Sequence, residues 1–154
     1  MPPATGAGHT LGRALNKQST MTETTDTSNL YDKVHFAKLI GLRREFAEAG
    51  VSRMVLDTRL ELCNNFENTH GGVIMTMLDM AMSSAALSKA DFKKAVITVD
   101  MSTHFLSPGK GRLVAHGRAV GGGKSICFCE AHIEDAAGRT VARAMGAFKY
   151  VDPR

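Results

Sequence analysis

The chain has 154 residues, room for one ordinary domain and too few for two. With 44% of its residues apolar and 22% charged, it can fill a core, which excludes global disorder. A net charge of +4 suits an anionic small molecule and is too weak for a nucleic-acid binder, so no nucleic-acid partner is expected. No run of about 18 apolar residues and no secretory leader near Met1 is visible, so no membrane partner is expected either. The cysteines, Cys63, Cys127 and Cys129, are odd in number and lack CxxC spacing. That argues against a disulfide framework or a zinc site and fits a reducing cytoplasm.

Residues 1–29 hold nine Ser or Thr, no aromatic residue and few aliphatics. Such a segment cannot bury enough apolar surface to offset its ordering entropy, so it reads as a disordered tail before a domain spanning 30–154. Residues 30–41 suit a short helix ending at Gly41. Leu42–Ala49 reads as a first strand, although its charges also suit a helix. Over 51–62, Met54, Leu56, Leu60 and Leu62 alternate with Arg53, Asp57, Arg59 and Glu61, which predicts a half-buried strand. A polar loop, 64–70, leads to Gly71-Gly72.

From Val73 to Lys89 the chain is apolar nearly all round and free of Pro and Gly, which predicts a buried helix. Four strand-like runs follow, at 94–106, 112–121, 124–135 and 139–151. Turn residues at Pro108-Gly109, 121–123 and 135–138 separate them and predict antiparallel hairpins. The expected fold is α+β, a long central helix wrapped by an antiparallel sheet of five or six strands.

Asp79 lies inside the buried helix on the face of Met75, Met82 and Ala86. A carboxylate there costs free energy unless it is paired, hydrogen-bonded or lines a cavity, so it is a functional acid, part of a wetted helix surface, or one half of a distant pair. Gly71 and Gly72 open the helix where its N-terminus carries partial positive charge. They form a site for an anion or a polarised carbonyl, or else a tight turn with His70 or Thr69 as the cap. Alternation over 94–106 puts Thr98, Asp100, Ser102 and His104 on one face and Ile97, Val99, Met101 and Phe105 on the other. A Thr98 hydroxyl on that polar stripe either orients a carboxylate or simply favours the strand.

Other patterns fail on inspection. The run 117–125 (GRAVGGGKS) has Arg118 where a phosphate loop needs glycine, and it joins two strands. It reads as a hairpin whose Lys124 can meet a phosphate. Cys127 and Cys129 read as core residues. His116 and His132 have no ligand spacing along the chain.

Taken in order, Asn64-x5-His70-Gly71-Gly72-x6-Asp79, Thr98-Val-Asp100-Met101, Phe105-Leu-x-Pro108 and Gly123-Lys124-Ser125 through Phe148 resemble the hotdog-fold acyl-CoA thioesterases. The likeness covers roughly 35–151 and favours the phenylacetate-pathway branch, which is similar to the 4-hydroxybenzoyl-CoA thioesterases. It implies hydrolysis of an aryl- or medium-chain acyl-CoA to a free acid and CoA. No cofactor or metal is implied beyond coenzyme A as part of the substrate. It implies a homodimer or homotetramer with active sites at the dimer interface. Asp79 matches the catalytic general base or nucleophile, and Gly71 the N–H that polarises the carbonyl. Asn64 and Thr98 match assisting side chains, with His70, Gly72 and Lys124 as substrate contacts. Asn64 and Gly71 would come from one protomer, Asp79 and Thr98 from its partner. Glu67 departs from the family, which often has a glycine three residues before the histidine. The alternative activity is non-catalytic sensing of acyl-CoA in the same pocket.

Overall fold

A computed structural model describes residues 28–153, so the expected tail lies outside the described residues except for Ser28 and Asn29. A short 3₁₀ turn, Leu30–Lys33, precedes α1 (His35–Ile40), which ends at Gly41 with φ of 77°. Strands β1 (Arg43–Glu48) and β2 (Val51–Asp57) form a hairpin. A second 3₁₀ turn, Leu60–Leu62, leads through the polar loop into α2 (Gly71–Lys89). Then come β3 (Ala95–Phe105), β4 (Arg112–Gly122), β5 (Ile126–Asp135) and β6 (Thr140–Val151).

The six strands form one antiparallel sheet in the order β1-β2-β4-β5-β6-β3, and α2 packs along one face. This is the hotdog fold. Met77, Leu78, Ala81 and Met82 of α2 are completely buried against Met54, Leu56, Leu113, Ile133 and Phe148. Truncating any one of the large side chains to Ala would cost roughly 2–5 kcal/mol. The helix approaches the sheet closely at Gly117, where an added Cβ would lie 2.3 Å from the Ala81 carbonyl oxygen. Beside it, the Ser52 hydroxyl donates to the same carbonyl at 2.6 Å. A side chain larger than hydrogen at 117 would drive helix and sheet apart.

Three expectations need correction. The strand read over 51–62 stops at Asp57, and Leu60 sits exposed on a 3₁₀ turn instead of in the core. The Pro108-Gly109 connection is not a hairpin. β3 pairs only with β6, while β4 inserts between β2 and β5. The Thr69 N–H donates to the Gly109 carbonyl and the Thr58 N–H to the Gly111 carbonyl, which hold that connection against the end of β2 and the loop before α2. The polar stripe on β3 is also broken. The register slips between Thr98 and Asp100, so Val99 is a bulge and the alternation inverts across it. Thr98 pairs with buried Phe148 and turns toward α2, whereas Ser102 pairs with exposed Met145 and His104 with exposed Arg143 on the outer face. By length and composition α2 could cross a membrane, although Thr76, Asp79, Ser83 and Ser84 interrupt its apolar run. Most of that stretch is buried within the domain, which is why a core helix carries it.

Candidate active site

Two groups of candidate residues lie at different points along α2. The first is at its N-terminus. The Asn64 carboxamide oxygen accepts from the Phe66 N–H at 2.9 Å and the Asn68 N–H at 3.2 Å, which folds the loop into a closed turn. His70 and Leu62 join through a backbone bond, and the Thr69 hydroxyl donates to the Gly109 carbonyl, so the loop is tied down at its far end. Glu67, in the place where the family often has glycine, holds φ of 56°, the left-handed conformation that glycine adopts without cost.

His70 is the N-cap of α2, and its Nδ1 accepts from the Gly72 N–H at 3.0 Å. The capping role considered for His70 is therefore real, and it occupies the Gly72 donor. The Gly71 N–H has no hydrogen-bond partner among the described residues. It is a free donor at the positive end of a 19-residue helix. An added Cβ at Gly71 would rest 3.5 Å from the Phe105 ring, in ordinary contact.

The second group lies eight residues on, about 12 Å along the axis at 1.5 Å per residue. Here the Thr98 hydroxyl donates to Asp79 Oδ1 at 2.7 Å. The bulge at Val99 turns Thr98 toward the helix, and β3 is the edge strand, so this pair sits at the open margin of the sheet. No other described residue bonds the Asp79 carboxylate, which leaves Oδ2 open to a ligand. Burial pushes the Asp79 carboxyl above its ordinary value, and the Thr98 bond partly offsets this.

Asp79 and Thr98 border a cleft of about 210 Å³ lined also by Tyr31, Met80, Leu87 and Val96. Tyr31 was invisible to sequence reasoning as a site residue. Its hydroxyl donates to the Leu42 carbonyl at 2.6 Å, which holds the 3₁₀ turn over the cleft. Neither periodicity nor motif signals that contact, because it joins elements 11 residues apart. The neighbours expected for Asp79 were Met75, Met82 and Ala86. Met82 and Ala86 are buried in the core, and Met75 is exposed.

Lys124 is exposed in the β4–β5 turn, at the end of the sheet where β3 begins. That turn is a strand hairpin, as expected, and not a phosphate loop. Cys127 and Cys129 are buried, with their sulfurs 3.7 Å apart, and burial pushes the Cys129 thiol up. They are core residues. The reading of His116 and His132 is corrected: they are direct cross-strand partners, a spacing that exists only once β4 pairs with β5.

A family model described as the thioesterase superfamily matches residues 66–142, half of the chain, and spans the end of the loop, α2 and most of the sheet. The protein named "Putative esterase SSO1253", from Saccharolobus solfataricus, is 26% identical over 129 residues, 83% of this chain and 85% of its own. Among solved structures, a thioesterase family protein from Silicibacter pomeroyi superimposes with a TM-score of 0.77 at 21% identity. That match covers 81% of this chain and 95% of the other. The E. coli PaaI protein, from the phenylacetic acid degradation operon, gives a TM-score of 0.74 at 22% identity over 79% and 88% of the two chains. The two structural likenesses carry the fold.

Proposed function

The chain belongs to the thioesterase superfamily, and from that premise we propose that it hydrolyses an aryl- or medium-chain acyl-CoA thioester to a free acid and CoA. The observation that carries this reading is the Thr98–Asp79 hydrogen bond, which fixes a half-buried carboxylate at the mouth of an apolar cleft. The acyl group enters that cleft. The thioester carbonyl rests on the Gly71 N–H, which takes up the negative charge that develops on oxygen. Asp79 either draws a proton from a water that attacks the carbonyl carbon, or attacks that carbon itself to form a mixed anhydride that water then hydrolyses; on either route the carbon–sulfur bond breaks and CoA leaves as a thiolate that takes up a proton from solvent or from Asp79. Thr98 orients Asp79. The Asn64 amide nitrogen holds the water or the acyl carbonyl, while its oxygen keeps the loop closed. His70 and Gly72 shape the approach to Gly71, and Lys124 meets a CoA phosphate.

The 12 Å between Gly71 and Asp79 in one chain is too far for both to act on one carbonyl. A complete site therefore takes Gly71 and Asn64 from one protomer and Asp79 and Thr98 from another. The geometry of β3 supports this assembly. It is an 11-residue edge strand with exposed Ile97 and Val99, and such an edge pairs readily with a second copy. The working unit is a homodimer, alone or paired into a tetramer. The three free cysteines suit a reducing cytoplasm.

The test is release of CoA thiol from phenylacetyl-, benzoyl-, hexanoyl-, lauroyl- and malonyl-CoA by wild type and Asp79→Asn. Turnover of an aryl or medium-chain member, reduced at least about 10²-fold in the variant, supports the proposal. Tight binding of the esters without turnover would replace hydrolysis with sensing.

A further inference from the structure

The face of the sheet turned away from α2 carries a transverse row of basic side chains. Cross-strand pairing sets Arg53 beside His116, His116 beside His132, His132 beside Arg143, and Arg143 beside His104. In the middle of the row the two imidazoles stack, with centroids 5.0 Å apart and planes 17° from parallel. Glu134 lies two residues beyond His132 on the same face. Its carboxylate oxygens are 3.4 Å from His132 Nε2 and 4.0 Å from His116 Nε2.

We propose that His116, His132 and Glu134 form a binding site for a divalent transition-metal ion of the zinc class, on the opposite face of the sheet from the thioester site. One ligand atom from each residue lies within 4.8 Å of the other two. Tetrahedral zinc with ligand bonds of about 2.1 Å holds its donor atoms about 3.4 Å apart. The His132–Glu134 separation already has that value, and the half-buried His116 ring turns out of its stack on His132 to bring Nε2 in from 4.0 Å. Paired strands fix the Cβ separation, so little ordering remains to be done when the ion arrives.

The donor set selects the ion. Two imidazoles and one carboxylate suit zinc, nickel, cobalt or copper, whereas magnesium and calcium prefer all-oxygen shells. The surrounding charges are largely committed: Arg53 contacts Glu45 at 3.1 Å and Arg118 contacts Glu130 at 2.6 Å. Arg143 is the opposing neighbour. A cavity of about 500 Å³ is lined by His116 and His132, so the two imidazoles border open space. The bound ion would tie β4 to β5.

The full-length protein, stripped of metal with a chelator, is titrated calorimetrically with Zn²⁺ and, separately, with Mg²⁺. The expected result is one Zn²⁺ per chain and no response to Mg²⁺. Affinity for Zn²⁺ falls at least about 10-fold in His116→Ala, His132→Ala and the shape-conserving Glu134→Gln, and holds in His104→Ala. Each variant is first checked for native circular dichroism. Glu134→Gln keeps the test informative if a histidine variant fails to fold. Absent Zn²⁺ binding, a response to Mg²⁺ equal to that to Zn²⁺, or undiminished Zn²⁺ binding in the cluster variants would each overturn the site.

Discussion

The Thr98 hydroxyl donates to Asp79 Oδ1 at 2.7 Å, and this one bond joins the edge strand to the central helix at the only carboxylate of α2. It opposes the upward shift that burial imposes on the Asp79 carboxyl pKa. Thr98→Val keeps the shape and removes the donor. The carboxyl then moves further up, and the acid limb of the kcat/KM profile shifts to higher pH, because hydrolysis needs the ionised form. At pH 7 the rate should fall about 10-fold, the scale of a hydrogen bond to a charged group. A pH–rate profile with its acid limb unmoved would show that Thr98 does not act through Asp79.

Asp79 also bears on stability. Because its folded value is raised, the folded chain holds that proton more tightly than the unfolded chain does. Its contribution to stability is present below the unfolded value of about 3.8 and is lost as pH rises through the folded one. Asp79→Asn should therefore be more stable than wild type at pH 7, by roughly 0.5–2 kcal/mol, the usual scale when a functional strain is relieved. Urea unfolding at pH 7 and at acid pH checks this. The gap should close in acid, where wild-type Asp79 is itself protonated.

Much of this was legible in the sequence, and the reasons differ by element. The end of α1 at Gly41 and the extent of α2 follow from glycine placement and helical periodicity, both local signals. Asp79 stood out because a carboxylate inside an apolar helix demands an account. The partner of that carboxylate was assigned through family likeness, because the bulge at Val99 breaks the alternation that would have placed Thr98. A bulge adds a residue without changing composition, so no period reports it. The edge position of β3 and the His116–His132 pairing depend on sheet register, which is set by contacts across the whole domain. Leu60 kept the strand's alternation after the strand had ended, and nothing local marked the change to a 3₁₀ turn.

Glu67 holds φ of 56° on an exposed loop. A non-glycine residue in the left-handed region carries about 1–2 kcal/mol of strain, and glycine gives back part of that through its freedom in the unfolded chain. Glu67→Gly should raise stability by about 0.5–1 kcal/mol, read as a higher urea midpoint at unchanged m. If Glu67 is only a solvated loop charge, CoA release is unaltered. A large fall in rate would instead give this carboxylate a part in the site.

Gly71 allows a direct test of the shared site. It is the first residue of α2, where proline is tolerated, and His70 before it has φ of −59° and ψ of 140°, the conformation that a following proline prefers. Gly71→Pro thus deletes the proposed carbonyl donor while leaving the helix in place. Its kcat should fall about 10²–10³-fold, the cost of one oxyanion donor. Asp79→Asn should be inactive for a different reason. If each site draws Gly71 from one protomer and Asp79 from the other, unfolding and refolding the two inactive variants together rebuilds intact sites. Half of the randomly paired dimers are then mixed, and one of their two sites carries both native residues, which restores about a quarter of wild-type activity. A mixture as inactive as its parts, with mixed dimers verified by mass spectrometry, would place both residues in the same chain's site and overturn the two-protomer arrangement.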